Sequence, residues 1–467
     1  MLKCGLIGAS LKHSYSAEIH ALLARGEYSY GLAELSEDEV GEFVVNGGFD
    51  AFNVTIPYKK AVMSYLDALD GSAELCGAVN TVVRRGGKTT GYNTDFFGFA
   101  HLLRSNGIDV RGGNAVILGD GGTAAMIKTV LKTLGTAQIG VISRRGEVNY
   151  GNYRDFFADA DILINASPVG MCPENGQCLV DLKYFPRLTA VADVIYNPLI
   201  TKLGFLAAER GVKFCGGLSM LVAQAAFAAG LFKGDTDILR RLRVLSCGNG
   251  GNSGGVNAAN KENAEILIGN ADINRYAIGG SAGKTAEFTT DGINKTVESV
   301  IRALKREKRN IVLIGMPGSG KTAVGRAVAT LTGREFIDTD AEIEIMEKLS
   351  VPSIFERYGE ARFRETERTV TAAAGKLSGR VIASGGGTVL DRENYYALKQ
   401  NGIIVYVRRD LRDLAVSGRP LSAKFSASEI FEKRKNLYER YADVTVDNDA
   451  DVAAAAAKVA EAARSFD

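Results

Sequence analysis

Short, uninterrupted apolar runs alternate with segments of helical period along most of this chain. NAVILGD (114–120), AQIGVISR (137–144), DILINAS (161–167) and AVADVIY (190–196) are continuous rather than alternating, the pattern of parallel strands buried on both faces. NIVLIG (310–315), RVIAS (380–384) and GIIVYV (402–407) repeat that pattern near the other end. Strands alternating with helices predict an α/β architecture with doubly wound sheets in both parts of the chain. In NKTVESVIRALKREK, Val297, Val300, Ile301 and Leu304 fall at i, i+3, i+4 and i+7, which predicts an amphipathic helix. Between the two parts, Gly248–Asn260 reads GNGGNSGGVNAAN, a stretch with backbone entropy to lose and nothing to bury, so a flexible linker is expected there. The run Lys261–Gly292 carries no pattern that assigns it a fold. Modules of about 245 and about 160 residues lie on either side, both ordinary domain sizes.

With 467 residues the chain exceeds what one core organises. Its 46% hydrophobic and 24% charged composition is that of a globular protein, and a net charge of +2 gives no reason to expect a nucleic-acid or membrane partner. Cys4, Cys76, Cys172, Cys178, Cys215 and Cys247 are scattered without a CxxC pair, as expected of reduced thiols. His13, His20 and His101 leave little room for a histidine-based metal site. MLKCGLIGAS shows no cleavable signal pattern and no window has the ~18 apolar residues of a membrane helix, so a cytoplasmic location is expected. The oligomeric state stays open.

IVLIGMPGSGKTAVGRAVA meets the pattern GxxxxGK[ST] through Gly315, Gly320, Lys321 and Thr322, directly after a predicted strand and before a predicted helix. Gly315, Gly318, Ser319, Gly320 and Ala323 would supply backbone N–H groups to phosphate, Lys321 would reach the outer phosphates, and Thr322 would ligate Mg²⁺. A nucleoside triphosphate and Mg²⁺ are therefore expected, and P-loops serve many nucleotide enzymes, so ATP rests on the family resemblance of the segments that follow. GGSAGKT around Lys284 resembles this pattern, but Ile278 stands where the first glycine is required, so it is read as linker. Upstream, AVILGDGGTAAMIKTVL forms a G-x-G-x-x-A turn on Gly119, Asp120, Gly121, Gly122, Thr123 and Ala124. The next strand ends in Ser143, Arg144 and Arg145 where an acidic residue would bind the ribose of NAD, so NADP(H) is preferred.

Downstream of the P-loop, EFIDTDAEIE, FERYGEARFRETE, IASGGGTV, SGRPL and RKNLY occur in the order and spacing of shikimate kinase, which the second part resembles over nearly its whole length. The resemblance implies that Asp340 contacts the substrate hydroxyls as base and that Asp338, expected on the same strand face, supports Mg²⁺. It implies that Arg364 and Arg434 bind the shikimate carboxylate, a task suited to guanidinium forks. Gly386 and Gly387 would approach the ring, and Arg419, in the lid, would close over the transferring phosphoryl group. Glu367 would orient Arg364.

GASLKHSYSAEIH, FNVTIPYKK, GAVNTV, GYNTDFFGF, LINASPVGM, DVIYNPLIT and GGLSMLVAQAA resemble shikimate dehydrogenase from Gly5 to about Leu242. That resemblance implies Lys59 and Asp95 as the catalytic pair, and Ser14, Ser16, Thr55, Asn80, Tyr196 and Gln224 as substrate contacts. Asn165, Ala166, Gly217 and Met220 would line the nicotinamide pocket. The implied layout is a substrate-binding domain at 1–100 completed by a helix at about 217–242, a Rossmann NADP domain at 101–216, a linker at 246–307 and a P-loop kinase domain at 308–467. Three positions depart from the family pattern: Ala17 replaces a proline, Asp120 an alanine and Ser143 an asparagine. Together these features lead to the expectation of 3-dehydroshikimate reduction followed by shikimate phosphorylation. The alternatives are a quinate-accepting, NAD-using first part, a second part acting on another small alcohol, and a catalytically silent module in either part.

Overall fold

The computed structural model describes residues 1–11, 14–235, 290–414, 427–449 and 451–466. Most of the expected linker, the GGSAGKT stretch and Arg419 lie outside the described residues. Two compact units emerge: one comprises 1–168, 179–196 and 206–301, the other 169–178, 197–205 and 302–467.

In the first unit a six-stranded sheet is built from β1 (Leu2–Gly8), β2 (Tyr28–Glu34), β3 (Ala51–Val54), β4 (Ala68–Leu69), β5 (Thr81–Arg85) and β6 (Lys88–Tyr92), in the order β2-β1-β3-β5-β6-β4. Helices α1 (Ser16–Ala24), α2 (Glu39–Asn46) and α3 (Gly71–Cys76) accompany it. Ile7, Val40, Phe52, Val54 and Val82 form its core. This sheet is mixed rather than wholly parallel, because β5 and β6 form a hairpin closed by Gly86 and Gly87, with φ of 57° and 76°. Two consecutive residues at positive φ match the right-handed strand twist, and glycine adopts them without a Cβ penalty.

Helix α4 (Thr94–Ser105) leads to a second sheet of β7 (Asn114–Leu118), β8 (Gln138–Ile142), β9 (Ile162–Asn165), β10 (Ala190–Asp193) and β11 (Lys213–Cys215). All its pairings are parallel, in the order β11-β10-β9-β7-β8. The strand order reverses at β7, which opens a crevice beyond the carboxyl ends of β7 and β9. α5 (Gly122–Thr133), α6 (Lys202–Glu209) and α7 (Leu218–Lys233) follow in sequence. α7 packs closely on α4: a Cβ on Gly98 would lie 2.7 Å from the Met220 carbonyl oxygen, so only glycine permits this crossing.

α8 (Thr290–Lys308) is the amphipathic helix expected from its period, with Val297, Val300 and Leu304 buried. In the second unit β12 (Asn310–Ile314), β13 (Phe336–Asp338), β14 (Val381–Ala383), β15 (Gly402–Arg408) and β16 (Val444–Asp447) form a wholly parallel sheet, ordered β13-β14-β12-β15-β16. α9 (Lys321–Thr332), α10 (Thr339–Glu347), α11 (Val351–Lys376, interrupted at Gly359), α12 (Arg392–Lys399), α13 (Ala427–Tyr441) and α14 (Val452–Ser465) complete it. Every strand residue from Asn310 to Ile314 is buried, which explains the unbroken apolar run. Among the described residues, no helix is long and apolar enough to cross a membrane.

Candidate active sites

In the first unit Lys59, in the turn after β3, meets Asp95, in the first turn of α4, with Nζ 2.6 Å from Oδ2. Their side chains are 29% and 17% exposed, so the pair is half-sheltered but reachable. Asn93 caps α4 by accepting the Phe96 N–H and donates to the Ala78 carbonyl, which fixes the helix end that carries Asp95. Gln224, on α7, comes to the same place: its Oε1 accepts from the Thr94 hydroxyl at 3.4 Å. Thr55 lies at the end of β3, where its N–H bonds the Ile7 carbonyl. The Ser14 hydroxyl accepts the Ser16 N–H at 3.2 Å, and the rings of Tyr15 and Tyr196 sit 5.1 Å apart.

Asn80 is almost wholly buried, and much of its amide is engaged inside the protein. Its Oδ1 accepts from the Thr94 N–H at 2.6 Å and the Thr81 hydroxyl at 3.1 Å, while its Nδ2 donates to Thr94 Oγ1 at 3.0 Å. Thr81 also receives Asn53 Nδ2, and Asn53 Oδ1 accepts from the Tyr30 hydroxyl. Such a chain of satisfied buried polar groups is rigid, and it ends at the backbone beside Asp95.

The glycine turn follows β7. Gly119 has φ of 105° and Gly121 caps α5 in extended conformation. A Cβ on Gly121 or Gly122 would meet nothing within 4 Å, so the amino end of α5 is open to an approaching pyrophosphate, and Thr123 and Ala124 form its first turn. Ser143 is buried at the end of the neighbouring β8, while Arg144 and Arg145 are exposed beside it. Asp120 is exposed. Burial raises the Tyr150 hydroxyl above its ordinary value; Asp120 adds to that and Arg144 opposes it, which places all three together. Asn165, at the end of β9, is buried, donating to Asp193 Oδ1 and accepting from the Ser167 hydroxyl; Ala166 beside it is half-buried. Gly217, whose N–H bonds the Ile195 carbonyl, and Met220 open α7 nearby in sequence.

In the second unit Gly315, Gly318 and Gly320 have φ of 147°, 88° and 90°, conformations that turn the loop back over the start of α9. Lys321 is buried and its Nζ donates to the Gly315 and Met316 carbonyls, both at 2.9 Å. Ser319 is fully buried, and its carbonyl accepts Asn448 Nδ2 at 2.7 Å. The Thr322 hydroxyl donates to Asp338 Oδ2 at 2.7 Å, so two oxygen ligands stand together where a Mg²⁺ would be held; Ala323 follows in the same turn.

Asp338 and Asp340 do not share a strand face as expected. Asp338 ends β13 and caps α10 by accepting the Asp340 N–H, so Asp340 belongs to the first helical turn. Asp340 Oδ1 is buried without a hydrogen-bond partner. Burial raises the Asp340 carboxyl to about 6; Asp338, Glu367 and Glu344 add to the rise and Lys321 opposes it. Around it, Glu367 is fully buried, with Oε2 2.7 Å from Arg364 Nη1 and Oε1 accepting from the Thr388 hydroxyl. Arg364 also bonds Glu360. The Gly385–Gly387 turn presses against these groups: a Cβ on Gly385 would lie 2.7 Å from Asp340 Oδ1, and one on Gly387 2.6 Å from Arg364 Nη1. The Gly386 carbonyl accepts from the Tyr438 hydroxyl at 2.5 Å, and Arg434, buried, lies one helical turn before Tyr438 on α13.

The family model for the shikimate dehydrogenase substrate binding domain matches residues 6–82 and that for shikimate kinase matches residues 317–464. The shikimate dehydrogenase (NADP(+)) of Clostridium beijerinckii is 35% identical over 237 residues, covering 47% of this chain and 88% of that protein. The chain belongs to the shikimate dehydrogenase family. That of Caldanaerobacter subterraneus subsp. tengcongensis is 37% identical over 255 residues, covering 50% of this chain and 91% of that protein. Among solved structures, shikimate dehydrogenase 1 from Peptoclostridium difficile is 33% identical, with a TM-score of 0.46, over 52% of this chain and 97% of that one. The chain is thus a fusion of shikimate dehydrogenase and shikimate kinase.

Several residues of these two sites escape a reading of the dehydrogenase and kinase motifs. Thr81, Thr94 and Asn53 brace the Lys59–Asp95 end of the dehydrogenase, and Thr388, Tyr438 and Asn448 brace the kinase turns. Thr94 sits inside the quoted GYNTDFFGF run and Thr388 inside IASGGGTV, so their neighbours in sequence were the available signal. Asn448 had no signal, since its partner is 129 residues away.

Proposed function

We propose that this chain catalyses two consecutive steps, the NADPH-dependent reduction of 3-dehydroshikimate to shikimate and the MgATP-dependent phosphorylation of that shikimate, in the cytoplasm. The observation that carries the reading is the presence in one chain of a half-sheltered Lys59–Asp95 pair and of a half-buried Asp340, its Oδ1 turned inward, near a P-loop lysine. When bound, NADPH supplies the hydride and MgATP the phosphoryl group.

In the first site Ser14, Ser16, Thr55, Asn80, Tyr196 and Gln224 orient the hydroxyls and carboxylate of the ring. Lys59 delivers a proton to the substrate oxygen as it becomes a hydroxyl, and Asp95 holds the ammonium group in place. Asn80, with its oxygen occupied by Thr94 and Thr81, offers the substrate only its remaining amide hydrogen. Gly119, Gly121 and the amino end of α5 hold the pyrophosphate, while Arg144, with Arg145 and Ser143 beside it, holds the 2′-phosphate. Asn165, Ala166, Gly217 and Met220 shape the nicotinamide end. Arg144→Ala is expected to raise KM for NADPH about tenfold while leaving KM for NADH nearly unchanged; initial rates with each cofactor check this.

In the second site Arg364 and Arg434 grip the carboxylate, and Asp340 takes the proton of the accepting hydroxyl. Gly386 and Gly387 bring backbone against the ring. Lys321 would turn from the loop carbonyls to the phosphates, Thr322 and Asp338 would hold Mg²⁺, and Arg419, outside the described residues, would offset charge on the transferring phosphoryl group. We place the dehydrogenase substrate domain at 1–100 with the helix from 217, the NADP domain at 101–216 and the kinase at 308–467. The direct experiment is a coupled assay of the purified chain with 3-dehydroshikimate, NADPH, ATP and Mg²⁺. Equal NADPH loss and ADP release are expected; ADP release that ignores added shikimate would refute the kinase reading.

A further inference from the structure

Tyr438 has no role in the reaction as described, yet it sits at the centre of the kinase site. It is fully buried, and its ring stacks on Tyr406 with centroids 5.2 Å apart and planes at 16°. The stack leaves the ring little freedom, so its hydroxyl is aimed in one direction, at the Gly386 carbonyl 2.5 Å away. Removing this buried hydroxyl would leave the Gly386 carbonyl without its donor and Arg434 without a neighbouring hydrogen-bond partner. Burial also pushes the phenol well above its ordinary value, against the pull of Arg434 and Arg364, so it remains a neutral donor.

Two connections run outward from this bond. Along α13, Tyr438 lies four residues after Arg434, on the same helical face. Across the turn, Gly386 abuts the P-loop so closely that a Cβ there would come within 2.6 Å of the Pro317 ring. One hydroxyl therefore ties the helix bearing an acceptor-binding arginine to a backbone turn that rests on the phosphate cradle. Phosphoryl transfer depends on holding acceptor and donor in line, and a misplacement of about 1 Å costs on the order of 10² in rate.

We propose that Tyr438 is a positioning residue for phosphoryl transfer, whose hydroxyl sets the acceptor turn and Arg434 at the correct distance from the P-loop. The inference rests on shikimate being the acceptor at this site. Its test is Tyr438→Phe in the full chain, which keeps the ring and its stack and removes one oxygen. The expected result is a KM for shikimate about tenfold higher and a kcat about tenfold lower, the size of one lost buried hydrogen bond. KM for MgATP is expected to stay within about twofold, as is NADPH oxidation by the same preparation, because neither depends on the acceptor turn. Tyr438→Leu, which also removes the stack, is expected to show the same KM for shikimate with a lower melting temperature.

A shikimate KM and kcat for Y438F within about twofold of the parent chain would overturn the proposal. So would a parallel rise in both KM values with a drop in melting temperature, since that is the mark of a packing role alone. A parent chain that releases no ADP with shikimate would instead refute the acceptor assignment.

Discussion

Lys59→Ala is expected to lower the rate of 3-dehydroshikimate reduction about 10³-fold, within the range for loss of a general acid–base group. The residue is held by one carboxylate, Asp95, at 2.6 Å; Asp95 is already 17% exposed with Lys59 in place, so water can compensate it once the lysine is removed. The fold should therefore survive. Phosphorylation of added shikimate should stay within about twofold of the parent, because Lys59 belongs to the first unit and Lys321 and Asp340 to the second. NADPH absorbance and ADP release measured on one preparation decide it. Retention of reduction within about tenfold would remove Lys59 from the proton path, and loss of both activities would contradict independent sites.

Asp340→Asn is expected to reduce phosphoryl transfer to a similar degree, and its pH behaviour is distinctive. The carboxyl moves from an ordinary 3.8 to about 6, chiefly through burial among acidic neighbours. Folding therefore disfavours the ionised form relative to the unfolded chain, although that form still predominates at pH 7. Below about pH 6 the base is protonated, so kcat/KM for shikimate should fall about tenfold per pH unit. Stability moves the other way. A raised acid contributes fully below its unfolded value of 3.8, and that contribution is lost as pH rises through about 6, a difference of ~3 kcal/mol. At neutral pH the Asn variant should therefore melt higher than the parent, and the advantage should disappear below about pH 4. Calorimetry can follow the transition that MgATP shifts. An equal melting temperature at pH 7 would mean that Asp340 is better hydrated than its surroundings indicate. A strained, destabilised group at a reactive position is a common cost of activity.

The motifs carried most of the chemistry because each is local. The P-loop needs a strand, a turn of positive-φ glycines and a helix start within a few residues, so Gly315 to Thr322 could be read directly. The G-x-G-x-x-A turn at Gly119 is similar. Asp338 and Asp340 show where local reading stopped. Two residues apart suggests one strand face, but Asp338 accepts the Asp340 N–H and begins a helix there, which only the end of β13 against β14 determines. The mixed first sheet was also missed, although Gly86–Gly87 between Arg85 and Lys88 is a legible hairpin signal.

By itself the sequence determined the class of both units and the positions of the glycine turns that open α5 and α9, because apolar runs and glycine spacing act through neighbours in the chain. It also placed α8, whose buried Val297, Val300 and Leu304 follow from helical period alone. Tertiary structure alone decided which distant groups meet. Lys59 and Asp95 are 36 residues apart, Thr94 and Gln224 are 130 apart, and Tyr438 reaches Gly386 across 52. Hydrogen bonds and ion pairs act over about 3 Å, so their partners depend on how sheets and helices pack, which no local pattern encodes. The raised Asp340 carboxyl has the same origin: its shift comes from burial and from charges on separate elements, and exists only once the chain has folded around it.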